Sequence, residues 1–81
     1  MSIEMAKTSS KRQLVVCVRN EGYEVSLERR KIYVSIADGD AQAHKLIRVI
    51  DESGEDYLYP QEMFLPISLP QSIRRAVLTA A

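Results

Sequence analysis

Residues 48–60, RVIDESGEDYLYP, constrain the fold of this chain more than any other stretch. Two short runs of alternating apolar residues flank a Glu-Ser-Gly-Glu turn, and a proline closes the second run. Period-two alternation on either side of a glycine-bearing turn is the pattern of a β-hairpin. Gly54 suits the left-handed position of a type I turn with a G1 bulge. Pro60 ends the second strand, and residues 61–63 have room for one 3₁₀ turn.

The same alternation recurs along the chain. Residues 13–19 form a strand with Leu14, Val16 and Val18 on one face and Val15 and Cys17 on the other. Both faces are apolar, so both need cover, and Val16 is expected in the core. Residues 20–30 are a long excursion opened by an Asn-Glu-Gly turn, with Val25 and Leu27 as anchors. In the strand at 31–37, Ile32, Val34 and Ile36 alternate with Tyr33 and Ser35. Residues 38–44 are a loop or a single helical turn. Strands follow at 46–51 and 56–59, with Ile47, Val49 and Leu58 as core. A short fifth strand spans 64–67, where Pro66 confines it to an edge or a bulge. Pro70 can open a helix without losing a hydrogen bond, and Ile73, Ala76, Val77 and Ala80 give that helix one apolar stripe.

The length of 81 residues fits one domain, and 46% apolar content supports a small core. No apolar run is long enough to span a bilayer, and the first residues lack the apolar centre of a signal peptide. A single cysteine, Cys17, makes no internal disulfide, so a cytoplasmic location is expected. Eleven basic residues balance eleven acidic ones. The basic excess falls in residues 1–12, leaving the body slightly acidic and poorly suited to general polyanion binding.

Chemistry-bearing residues are few. Cys17 lies in an apolar strand, where a thiolate is disfavoured, and His44 has no second histidine or cysteine to share a metal. No enzyme activity and no cofactor are expected. The acids Asp51, Glu52, Glu55, Asp56 and Glu62 do not match a calcium loop and read as a solvated hairpin tip, so no metal is expected. Tyr57 and Tyr59 share a strand face opposite Leu58. If Leu58 points inward, both tyrosines point outward, as at an interface. Tyr23, Arg29 and Arg30 complete the candidate partner-binding set.

The blocks SLERRKIY at 26–33 and RVIDESGEDYLYP at 48–60 resemble those of a family of small bacterial proteins of unassigned function with a Src-homology-3-like barrel. The resemblance spans about residues 13–70. It implies a mainly β fold, a small five-stranded barrel with a short C-terminal helix. The absence of tryptophan and of a tyrosine pair in the first loop departs from the peptide-binding members of that fold.

The chain therefore divides into a flexible N-terminal arm (1–12), a small barrel (13–69) and a C-terminal helix (70–81) packed on the barrel or on a partner. The expected function is a non-enzymatic protein-interaction or regulatory module that binds a protein or peptide. One alternative is a nucleic-acid-binding barrel using the basic arm and residues 29–31. Another is a self-associating structural subunit. No membrane partner is expected, and the oligomeric state is monomer or weak homo-oligomer.

Overall fold

The computed structural model describes residues 12–80. The expected arm lies outside the described residues except for Arg12, which opens the first strand instead of closing the arm. The chain forms β1 (Arg12–Cys17), β2 (Ile32–Ile36), a short helix α1 (Gly39–Ala43), β3 (Leu46–Ile50) and β4 (Asp56–Pro60). A 3₁₀ turn (Gln61–Met63), β5 (Phe64–Pro66) and α2 (Gln71–Ala80) follow. The strands make one antiparallel sheet in the order β4-β3-β2-β1-β5. It is open between its edges β4 and β5, each of which ends in a proline that has no N–H to extend a ladder.

Local chemistry accounts for the connections. Gly54 takes the left-handed conformation (φ +88°), and its N–H donates to the Asp51 carbonyl at 2.9 Å. Asp38 caps α1, its carboxylate accepting from the Ala41 N–H at 3.1 Å. Residues 61–63 form the expected single 3₁₀ turn, and β5 is a three-residue edge strand.

Paired residues of neighbouring antiparallel strands share a face. The register sets Val15 opposite Tyr33, Ser35 opposite Val49, Val49 opposite Tyr57, and Ile47 opposite Tyr59. On this face lie Val15, Cys17, Tyr33, Val49, Tyr59 and Phe64, which with Leu27 and Met63 form the core.

Three expectations about facing are thereby reversed. In β1 Val15 and Cys17 join the core cluster and Leu14 is buried on the other face as expected, while Val16 is only half-buried and Val18 beyond it is exposed. In β2 the buried residues are Tyr33 and Ser35, and Ile32, Val34 and Ile36 turn outward. In β4 Tyr59 is buried and Leu58 is exposed. One cause serves all three. Register couples the strands, so the side chosen by one strand is imposed on the rest. The face with tyrosines can be interior because their hydroxyls find acceptors there.

A stability comparison checks this facing. Val15→Ala should cost about 2 kcal/mol and Val16→Ala under about 1 kcal/mol, as burial differs between them. Urea unfolding of the two variants measures the order, and equal costs would count against the inner face described.

Candidate functional site

The long connection between β1 and β2 is fixed to the body at several points. Leu27 is 1% exposed and sits in the core. The Asn20 side-chain amide donates to the Leu27 carbonyl at 3.0 Å, and the Leu27 N–H donates to the Tyr23 carbonyl at 2.9 Å. The Glu52 N–H donates to the Ser26 carbonyl at 3.1 Å, which ties the loop to the β3–β4 turn. Leu27 is thus the anchor expected, and Val25 is not. The turn from Tyr23 to Leu27 directs Val25 away from the core, leaving it 95% exposed.

The hairpin acids also depart from a purely solvated tip. Asp51 is buried, accepts from the Tyr59 hydroxyl at 2.5 Å and accepts from the Ser53 hydroxyl at 2.6 Å. Glu52 accepts from the Tyr33 hydroxyl and from the Lys31 ammonium, both at 2.6 Å. The Tyr33 oxygen in turn accepts from the Glu28 N–H at 2.8 Å. Two adjacent carboxylates therefore clasp the two buried tyrosines, and the second also holds the root of the long loop. Asp56 lies outside this clasp and pairs with Arg48, which also reaches Asp38 at 2.8 Å.

These contacts shift the titration of their members. Burial opposes ionisation of Asp51, but hydrogen bonds from Ser53 and Tyr59 outweigh it and hold the carboxyl below its ordinary range. Glu52 is held low by the hydrogen bond from Lys31 and then by that from Tyr33. Burial, aided by the bond to Asp51, pushes Tyr59 up to about 12. Burial and the bond to Glu52 push Tyr33 up as well.

The signs predict opposite losses at the two extremes of pH. Carboxyls with a lowered folded pKa contribute stability that is full above the unfolded value near 4 and fades as pH falls through and below it. Tyrosines with a raised folded pKa contribute stability that is full below the unfolded value near 10 and fades as pH rises toward the folded value. Urea midpoints measured from pH 2 to 12 should form a plateau with a fall at each end. A midpoint that rose below pH 4 would contradict the clasp.

The five candidate residues separate in the structure. Tyr57 and Tyr59 share a face as expected, but it is the inner face, and their fates differ. Tyr59 is 4% exposed, whereas Tyr57 lies beyond the edge of the core and is 49% exposed. The Tyr57 hydroxyl donates to Glu55 at 3.0 Å, and that bond raises its pKa. Tyr23 is 38% exposed and meets the Tyr59 ring edge-on, with centroids 5.1 Å apart. Tyr23 and Tyr57 are thus two half-exposed rings flanking one buried ring. Arg29 and Arg30 are exposed and make no ion pair among the described residues. Arg30 holds the left-handed conformation (φ 72°), its N–H donating to the Cys17 carbonyl at 2.7 Å. Lys31, the third base of that run, is engaged by Glu52.

Cys17 is fully buried. Burial raises its pKa, and its thiol donates to the Arg19 carbonyl at 3.2 Å. His44 lies exposed after α1, its Nδ1 at 2.8 Å from the Asp40 carbonyl. No cluster of three His, Cys, Asp or Glu side chains suited to a metal occurs among the described residues. No helix among them is long and apolar enough to cross a membrane.

A second surface lies at the opposite end of the sheet, where β4 and β5 do not meet. It is an open cleft of about 1120 Å³ lined by Val15, Ile47 and Phe64, between Pro60 and Pro66. The Asp38–Arg48 ion pair stands at its rim. Sequence reading did not anticipate this cleft. Its signal is the pair of prolines at which the two edge strands stop.

Comparison with protein-family models, with curated proteins and with solved structures finds no match to this chain.

Proposed function

We propose that the chain is a small non-enzymatic protein-interaction module built on an open Src-homology-3-like barrel. The barrel reading is supported by the order of the connections. A long first connection, a helical turn before β3, a tight hairpin and a 3₁₀ turn lead into a last strand that pairs with β1.

The observation that carries the function is the presentation of Tyr23 and Tyr57. Both rings stand half exposed on segments that Leu27, Asp51 and Tyr59 hold in place. A ring already fixed loses little conformational freedom on binding, which is what an interaction anchor needs. Val25, wholly exposed on the same pinned loop, adds an aliphatic side chain to the surface.

Selection of a displayed random-peptide library against the folded chain tests this. Recovered peptides should shift the amide resonances of Tyr23, Val25 and Tyr57, and the double variant Tyr23→Ser, Tyr57→Ser should lose them while keeping its circular dichroism. A selection without enrichment, or peptides that bind the variant unchanged, would overturn the tyrosine surface. The cleft supports a second reading, in which an apolar partner segment lies over Ile47 and Phe64. Shifts confined to Val15, Ile47 and Phe64 would favour it.

A further inference from the structure

Lys31, Tyr33 and Glu52 form a compact set in which this chain holds one of its own cations. The Glu52 carboxylate accepts from the Tyr33 hydroxyl and from the Lys31 ammonium, both at 2.6 Å. The same ammonium stands 5.7 Å from the centre of the Tyr33 ring. Ring and hydroxyl-bound carboxylate thus engage one cation by a cation–π contact and an ion pair together. Tyr57 and Glu55 repeat the ring and the carboxylate at the surface. The Tyr57 hydroxyl donates to Glu55 at 3.0 Å, and the ring is half exposed. No lysine or arginine among the described residues pairs with Glu55.

The surroundings carry the same sign. Residues 20–28, which include Tyr23, hold three acids, and residues 51–57, which include Tyr57, hold four; neither segment holds a lysine or arginine. The bond from the Glu52 N–H to the Ser26 carbonyl joins the two segments. Asp51 is buried against Tyr59, and three other acids are paired, Glu21 with Arg19, Glu52 with Lys31 and Asp56 with Arg48. Glu24, Glu28 and Glu55 are exposed and make no ion pair among the described residues. The hydrogen bond to Glu55 foremost, with the charges of Asp51 and Asp56, raises the Tyr57 pKa. Arg29 and Arg30 follow Glu28, and the Arg30 N–H is tied to the Cys17 carbonyl at the end of β1.

On the reading of Tyr23 and Tyr57 as the binding face, on which this inference rests, we propose that the bound partner is a basic peptide segment, one of whose lysine or arginine side chains lies on the Tyr57 ring and pairs with Glu55. The set at Lys31 is the same arrangement made within the chain. Glu24 and Glu28 add attraction for further basic side chains of the same segment. An acidic segment would instead meet carboxylates that no base offsets, and an uncharged one would leave them without partners.

Amide titrations of the full chain with three synthetic peptides test this. The peptides share one apolar sequence and carry arginine, glutamine or glutamate at every second position. The arginine peptide should shift Tyr23, Glu55 and Tyr57 and bind about tenfold more tightly than the glutamine peptide, with the glutamate peptide weakest. Raising the salt from about 0.05 M to about 0.5 M should remove most of that difference. The double variant Glu24→Gln, Glu55→Gln should bind the arginine peptide about as weakly as the parent binds the glutamine peptide. Both positions are exposed, and circular dichroism checks that the variant folds. Arg29→Gln, Arg30→Gln should bind as the parent does. Peptides recovered from the displayed library should be enriched in lysine and arginine. Equal affinity for the arginine and glutamine peptides, tightest binding of the glutamate peptide, or library enrichment without basic residues would overturn the charge preference and leave the tyrosine surface standing. No binding of any of the three, with no enrichment from the library, would overturn both.

Discussion

Leu27→Ala is expected to destabilise the protein by about 2–4 kcal/mol, the largest effect of any loop substitution. Most loop side chains are exposed, and their truncation changes stability little. Leu27 is different because it enters the core from the connection between β1 and β2, beside Tyr33, Tyr59 and Phe64. Its removal leaves a cavity that the sheet cannot close and also frees the loop from its main attachment. The Glu52 amide, which bonds the Ser26 carbonyl, should then exchange its hydrogen faster than in the parent. Chemical denaturation with native-state hydrogen exchange measures both. A cost below about 0.5 kcal/mol would mean that the loop is not held by the core.

Asp51→Ala is expected to cost about 1–3 kcal/mol, the penalty for leaving buried polar groups without partners. The Tyr59 hydroxyl would lose its acceptor inside the core, and Ser53 would lose the oxygen that organises the turn through its hydroxyl and its N–H. Tyr59→Phe in the same background separates the two contributions. The double variant should lose less than the sum of the single costs, because both remove the same bond. Strict additivity in that cycle would show that the Asp51–Tyr59 bond carries no coupling.

The elements of this fold were legible in the sequence, and their facing was not. Strand existence follows from local alternation, and the boundaries follow from Gly54, Pro60 and Pro66, whose effects act within a residue or two. Facing depends on register, which joins residues distant in the chain. In β1 both sides are apolar, so Leu14, Val16 and Val18 compete evenly with Val15 and Cys17 until β2 is paired. In β2 aliphatic content favours the side with Ile32, Val34 and Ile36. The opposite side won because the Tyr33 hydroxyl meets Glu52 across nineteen residues of sequence. The acids at the hairpin read as a solvated tip for the same reason, since nothing local shows that Asp51 receives a buried hydroxyl.

The candidate surface was partly legible. Tyrosines are conspicuous in a chain with five aromatic residues, and Tyr23 and Tyr57 do stand at the surface. Tyr59 could not be distinguished from Tyr57 by pattern, because the two share a strand face. What separates them is position along the strand. Tyr59 lies over the core, and Tyr57 lies past its edge. Val25 reads as an inward anchor because it is apolar and near Leu27, yet the turn at Tyr23 sends the two in different directions.

The central claim is that one tyrosine pair builds the interior while the other is presented outward. Hydroxyl-radical footprinting of the native chain, read residue by residue by mass spectrometry, tests it most directly. Tyr23 and Tyr57 should oxidise readily, and Tyr33 and Tyr59 should stay protected until the chain unfolds. Oxidation of Tyr59 at the rate of Tyr57 in the folded protein would contradict the account.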